Sequence, residues 1–143
     1  PRLIIVDEPT AGLDPAERIR FHNLLSEIGE NTIVILSTHI VEDISNLCNN
    51  MAIICSGEVV AKGNPATLVE GLRGKVWKKS IEKAELESYQ KDMQVISTHL
   101  KAGKTVIHVV SDAQPNASFE PSTANLEDVY FAEITSRMET ISA

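Results

Sequence analysis

The stretch LIIVDEPTAGLDP, Leu3–Pro15, decides how the rest of the chain is read. Leu3 to Val6 is a short, continuous apolar run rich in β-branched residues, the pattern of a buried strand. It stops abruptly on two carboxylates, Asp7 and Glu8. In an α/β sheet, the carboxyl ends of the strands project side chains into the crevice where ligands bind. The first carboxylate of such a pair suits a hydrated Mg²⁺, which prefers one or two carboxylates together with phosphate oxygens. The second suits the orientation or deprotonation of an attacking water. A bare Asp-Glu pair more often marks a solvated acidic turn, so its weight depends on the residues after it.

Those residues spell a crossover. Asp14-Pro15 has the chemistry of a helix start, with Asp as N-cap and Pro at the first helical position. Ile19, Leu24, Leu25 and Ile28 recur at helical spacing, and Gly29 lies near the stop. Thr32 to Leu36 (TIVIL) is a second apolar run expected to be a buried strand. Strand, helix and strand form a βαβ unit, expected to be parallel and right-handed. Parallel strands end on the same sheet edge, so Ser37, Thr38 and His39 should join Asp7 and Glu8 there. An imidazole at that edge can donate a hydrogen bond to a terminal phosphate.

With these residues in place, the chain resembles the second half of an ABC-transporter nucleotide-binding domain. LIIVDEPTAGLDP is similar to the family's Walker B strand and D-loop, and TIVILSTH, Thr32–His39, to the strand and loop carrying its switch histidine. AIICSGEVVAKGNPATL, Ala52–Leu68, resembles the strand pair after that loop, with the Gly57 turn and the Asn64-Pro65 helix start in the expected places. The resemblance implies ATP and Mg²⁺ as cofactors, with Asp7 holding Mg²⁺ through water. It implies that Glu8 polarises the hydrolytic water and His39 contacts the γ-phosphate. It also implies that Ala11 to Asp14 reaches across to a second nucleotide-binding domain, with Asp14 among the nucleotide-binding residues beside Asp7 and His39. The implied fold is α/β: residues 1–73 the C-terminal part of a P-loop NTPase parallel sheet with helices, residues 74–143 a small α+β accessory domain ending in a helix. ANLEDVYFAEI, Ala124–Ile134, resembles the terminal helix of bacterial drug-exporter ATPases. That makes permease subunits the implied partners, and the cytoplasmic face of a membrane the implied location.

No GxxxxGK[ST] motif occurs in the chain, and Gly71–Lys75 (GLRGK) has neither a buried strand before it nor a Ser or Thr after its Lys. Without such a loop no nest of backbone N–H groups cradles phosphates. In the family this loop, the glutamine loop and the LSGGQ signature all precede the Walker B strand. The phosphate-holding half is therefore expected upstream of Pro1, and the chain is expected not to hydrolyse ATP alone. The strand that carries the loop lies in the family between the switch-histidine strand and the one that here is Met51 to Cys55. Lacking it, the chain is expected to form homo-oligomers, by strand exchange for instance, or to take that strand from another chain.

Further along, Ile40–Leu47 is expected as a helix, Met51–Cys55 and Glu58–Ala61 as strands, and the helix opened by Asn64-Pro65 to end near Gly71. Val76–Ile81, Gln94–Leu100 and Thr105–Val110 read as strands of the accessory part, and Glu82–Lys91 as a polar, solvated helix. Residues 113–122, with two prolines and small polar residues, read as a linker before an amphipathic helix over Leu126–Met138. Cys48 and Cys55 sit in an apolar stretch and read as core thiols. His22 reads as a surface residue, and Trp77, though among lysines, as a packing residue. His99 and His108 could meet across a hairpin, but without a carboxylate or thiol they make a weak metal site.

The 143 residues suit one domain or two small ones, and 43% hydrophobic with 23% charged residues is an ordinary globular balance. A net charge of −7 speaks against nucleic acid and anionic lipid as partners. It also weighs against a second reading, a DNA-repair or chromosome-maintenance ATPase with a similar acidic strand. A third reading makes the tail a non-catalytic dimerisation or regulatory module.

Overall fold

Two β-branched runs and the helix between them build the first part of the fold. The computed structural model describes residues 2–142, with the side chains of 2–137. Strand β1 (Leu3–Asp7) leads to helix α1 (Pro15–Gly29), which returns to strand β2 (Ile33–Ser37). The strands are parallel and in register from Leu3 beside Ile33 to Asp7 beside Ser37. Helix α1 begins where its capping chemistry says. The Asp14 carboxylate accepts from the Glu17 backbone N–H at 2.8 Å, and Glu17 answers in a capping box with Pro15 at the helix start.

Helix α2 (Val41–Leu47) comes after β2, then strands β3 (Met51–Cys55) and β4 (Glu58–Gly63). Their turn, Ser56-Gly57, takes φ of +51° and +78°, the positive pair a tight hairpin needs. Helix α3 (Pro65–Glu70) is capped by Asn64, which accepts from the Ala66 N–H at 2.8 Å.

The larger parallel sheet does not form among the described residues. β1 and β2 make one two-stranded sheet, β3 and β4 a second, antiparallel one, and β2 does not pair with β3. The runs expected to be buried on both faces are covered on one only. Ile4, Val6, Val34 and Leu36 are half-buried, whereas Leu3, Ile5, Ile33 and Ile35 are 49%, 69%, 68% and 52% exposed. A strand alternates its side chains, so a single covering layer can shelter only every second residue.

The second part is a four-stranded antiparallel sheet. Strand β5 (Val76–Ile81), a 3₁₀ turn (Lys83–Glu85), helix α4 (Leu86–Asp92) and strands β6 (Gln94–Lys101), β7 (Lys104–Val110) and β8 (Glu120–Pro121) form it, with strand order β6-β7-β5-β8. Its core is Ile81, Ile107, Val109 and Phe119, joined by Trp77, Leu86, Tyr89, Met93 and Val95. The supposed linker over 113–122 is thus structural: it supplies β8 and Phe119, which is 1% exposed and meets Tyr89 edge-on at 6.1 Å. Aromatic burial outweighs the breaker composition, and Pro121 is tolerated because β8 is an edge strand. The polar helix is less solvated than its sequence suggests, since Leu86 and Tyr89 turn into this core.

Helix α5 (Leu126–Ser142) closes the other core. Its Leu126 and Val129 are buried with Ile53, against Val41, Ile44, Leu68 and Leu72 of the first part. Arg137 pairs with Glu58 of β4. The cysteines depart from the core positions their apolar surroundings suggest: Cys48 and Cys55 are half-buried, because each sits at the end of its element rather than in the interior. No helix among the described residues is long and apolar enough to cross a membrane.

Candidate active site

The parallel register brings the ends of β1 and β2 side by side, and the loops leaving them carry the polar groups. Asp7 lies opposite Ser37, whose hydroxyl donates to Asp7 Oδ1. Glu8 is the first residue past β1 and has φ +47°, a left-handed conformation uncommon for a residue with a Cβ. Its N–H is anchored to the Ser37 carbonyl at 2.8 Å. Its carboxylate is held by the opposite loop: Oε1 accepts from the His39 backbone N–H at 3.0 Å and lies 2.8 Å from His39 Nδ1, while the Thr38 hydroxyl donates to Oε2 at 3.4 Å.

This geometry fixes what the histidine can do. With Glu8 ionised, Nδ1 carries the proton and donates it to Oε1; Nε2 is then an acceptor in the neutral ring and a donor only in the imidazolium. The His39 side chain is 79% exposed and that of Glu8 34%, so both stay open to a ligand. The structure therefore brings Asp7, Glu8 and His39 together. It does not bring Asp14 into contact with them, because that carboxylate is engaged in capping α1.

A second polar cluster lies behind the first, and sequence reasoning missed it. Asp43, on α2, is fully buried. Its Oδ2 accepts from the Thr10 hydroxyl. Its Oδ1 accepts from Arg18 Nε at 3.1 Å and lies 2.9 Å from His22 Nε2, with a second Arg18 nitrogen 3.0 Å away. Burial pushes the Asp43 carboxyl up, but the hydrogen bonds from Thr10, His22 and Arg18, with the Arg18 charge, outweigh it and hold the group below its ordinary value. Burial, and then the Asp43 charge, raise the nearby Cys48 thiol, which disfavours its thiolate. His22 is thus not a surface residue; its side chain is 15% exposed. The available signal was the spacing of Arg18 and His22, four apart on one helix face. Nothing local named their partner.

The remaining candidates lie in the second part of the fold. Trp77 packs on the core of the four-stranded sheet and donates from Nε1 to the Ser111 carbonyl at 3.0 Å. His99 and His108 do approach, with ring centroids 5.5 Å apart, and His108 has a carboxylate neighbour, Asp128 Oδ1 at 3.2 Å from Nδ1. The described residues still contain no group of three or more His, Cys, Asp or Glu side chains placed to hold a metal.

No family model matches the chain. Over 155 aligned residues it is 30% identical to the Nod factor export ATP-binding protein I of Burkholderia lata, covering 96% of this chain and 48% of that protein. It is equally identical to the protein of the same name from Rhizobium meliloti, covering 96% of this chain and 44% of that protein. This chain is a homologue of ABC-transporter ATP-binding proteins. An uncharacterized ABC transporter ATP-binding protein of Bacillus subtilis, YxlF, is also similar, at 26% identity over 91% of this chain and 49% of that protein. The homology spans both parts of the fold, so the four-stranded sheet and α5 align with ABC ATP-binding proteins along with the Asp7–His39 site. The chain spans about half the length of these curated relatives.

Proposed function

We propose that this chain is the C-terminal part of the ATP-hydrolysing subunit of an ABC exporter, and that it contributes the water-activating side of the nucleotide site. The observation that carries the reading is the double contact of Glu8 with His39, beside Asp7 on one sheet edge. Asp7 fits a hydrated Mg²⁺: Ser37 occupies Oδ1, and Oδ2 has no protein partner among the described residues. Mg²⁺, when bound, would offset the negative charge of the phosphates. Glu8 orients and deprotonates the attacking water, its carboxylate held in place by the His39 N–H. His39 contacts the γ-phosphate, through Nε2 when the ring is protonated, or through Nδ1 if that nitrogen is released from Glu8.

On this reading the phosphate cradle is supplied from outside this sequence, and the chain does not hydrolyse ATP alone. Ala11 to Asp14 faces a second nucleotide-binding domain in a dimer, and permease subunits hold the assembly on the cytoplasmic face of the membrane. Export is supported by the names of the relatives from Burkholderia lata and Rhizobium meliloti. The deciding experiment is MgATP-dependent phosphate release by the full-length protein carrying this sequence, compared with its Glu8→Gln variant. Hydrolysis by the wild type that becomes very slow in the variant, with MgATP binding retained, is the expected result. Hydrolysis undiminished in the variant overturns the assignment.

A further inference from the structure

The loops carrying Glu8 and His39 are joined twice. The exposed link is the Glu8–His39 contact itself. The buried link lies two residues past Glu8 and four past His39, where Thr10, 3% exposed, donates to Asp43, 0% exposed. The same carboxylate also takes Arg18 and His22 from α1, the helix that Asp14 opens. The segment Ala11–Asp14 is therefore pinned at both ends, by Thr10 on Asp43 and by α1 on Asp43. Between those pins Gly12 has φ +80°, a conformation that needs glycine.

We infer that Asp43 is a positioning residue which, through Thr10, Arg18 and His22, sets the Ala11–Asp14 loop and the His39 loop in one fixed relation. This deepens the proposed function and rests on it. An ionised carboxylate without solvent around it holds its geometry only if its donors are in place, so the members of the cluster depend on one another. Losing one donor loosens the loop beside Glu8 and the helix start behind His39 together. Small displacements of catalytic groups lower turnover far more than they weaken ground-state binding. Asp43 touches none of the reacting groups itself; it acts through the two loops.

The test uses the full-length protein and MgATP. Asp43→Asn keeps the shape and removes the charge, and Thr10→Val removes one donor only. For Asp43→Asn the expected result is a loss in kcat of about tenfold to a hundredfold with nearly unchanged MgATP affinity. Thr10→Val should lose less, and the double variant should lose less than the product of the two single losses, because both changes break one network. Backbone hydrogen exchange should quicken at Ala11 to Leu13 and at His39 while the rest of the chain stays protected. Wild-type kcat per folded molecule in Thr10→Val overturns the inference, even where Asp43→Asn fails to fold. So does a loss that tracks only the folded fraction. If the wild-type protein does not hydrolyse MgATP, the proposed function fails, and exchange at the two loops in Thr10→Val still decides whether Asp43 holds them.

Discussion

His39 grips Glu8 by two atoms of one residue: its backbone N–H and its Nδ1 converge on the same carboxylate oxygen, at 3.0 Å and 2.8 Å. The carboxylate is thereby held by two contacts from one residue, and the histidine's ring position depends on it in turn.

Glu8→Gln retains an oxygen for the His39 N–H, so the site should keep its shape and its MgATP affinity. Turnover in the full-length protein should fall by roughly 10²–10⁴-fold, the usual weight of a general base. Single-turnover phosphate release, alongside equilibrium nucleotide binding, checks it.

His39→Ala removes the ring but leaves the backbone N–H on Glu8. Turnover at saturating MgATP should drop by about two orders of magnitude, the scale of losing one donor to developing charge, with little change in affinity. An affinity loss with kcat intact would make His39 a binding residue only.

Asp43→Ala strands Arg18 and His22 beside a void and should cost about 3–5 kcal/mol, the scale of breaking a buried pair. The pH dependence comes from the direction of the Asp43 shift. The native carboxyl lies below its ordinary value of 3.8, so its stabilisation is complete above that value. It is lost as the pH falls from there through the lower native value, because the unfolded chain takes up the proton first. Denaturant titrations of wild type and Asp43→Asn should show a stability gap that is constant above 3.8 and narrows as the pH falls below it.

Phe119→Ala should destabilise the accessory sheet by about 3–5 kcal/mol, since the ring is 1% exposed and packs edge-on against Tyr89. The near-ultraviolet signal of Trp77, in the same cluster, reports the loss.

Leu3, Ile5, Ile33 and Ile35 form a contiguous apolar face on β1 and β2, more than the scattered apolar residues of an ordinary surface. The 143-residue chain studied alone should self-associate through it. Light scattering should show oligomers that Ile35→Lys shifts towards monomer; a wild-type monomer would mean the face is closed by other means.

The βαβ unit and its shared edge were legible because they depend on local signals: β-branched runs, an Asp-Pro cap, and the rule that parallel strands finish together. Asp7, Glu8 and His39 came directly from those signals. Asp43 did not, because its partners come from α1 and the Thr10 loop, and no spacing in sequence announces a contact made only in three dimensions. Phe119 was hidden for the opposite reason. Its neighbours Pro115, Asn116, Ser118 and Pro121 are turn formers, and composition says nothing of which single side chain the turn delivers to a core. The exposed face of β1 and β2 was misjudged because an apolar run states that a face wants cover, not which layer provides it.

The packing of α5 bears on how the protein is made. Ile53 shares its core with Leu126 and Val129, which the ribosome adds long after it. During synthesis the β3–β4 hairpin and α3 therefore wait with an open apolar side while the whole accessory sheet emerges and pairs. Such late, non-local closure is slow and exposes sticky surface to neighbouring nascent chains. A polypeptide stalled or cut before α5 should be retained by chaperones, and release should coincide with docking of that helix.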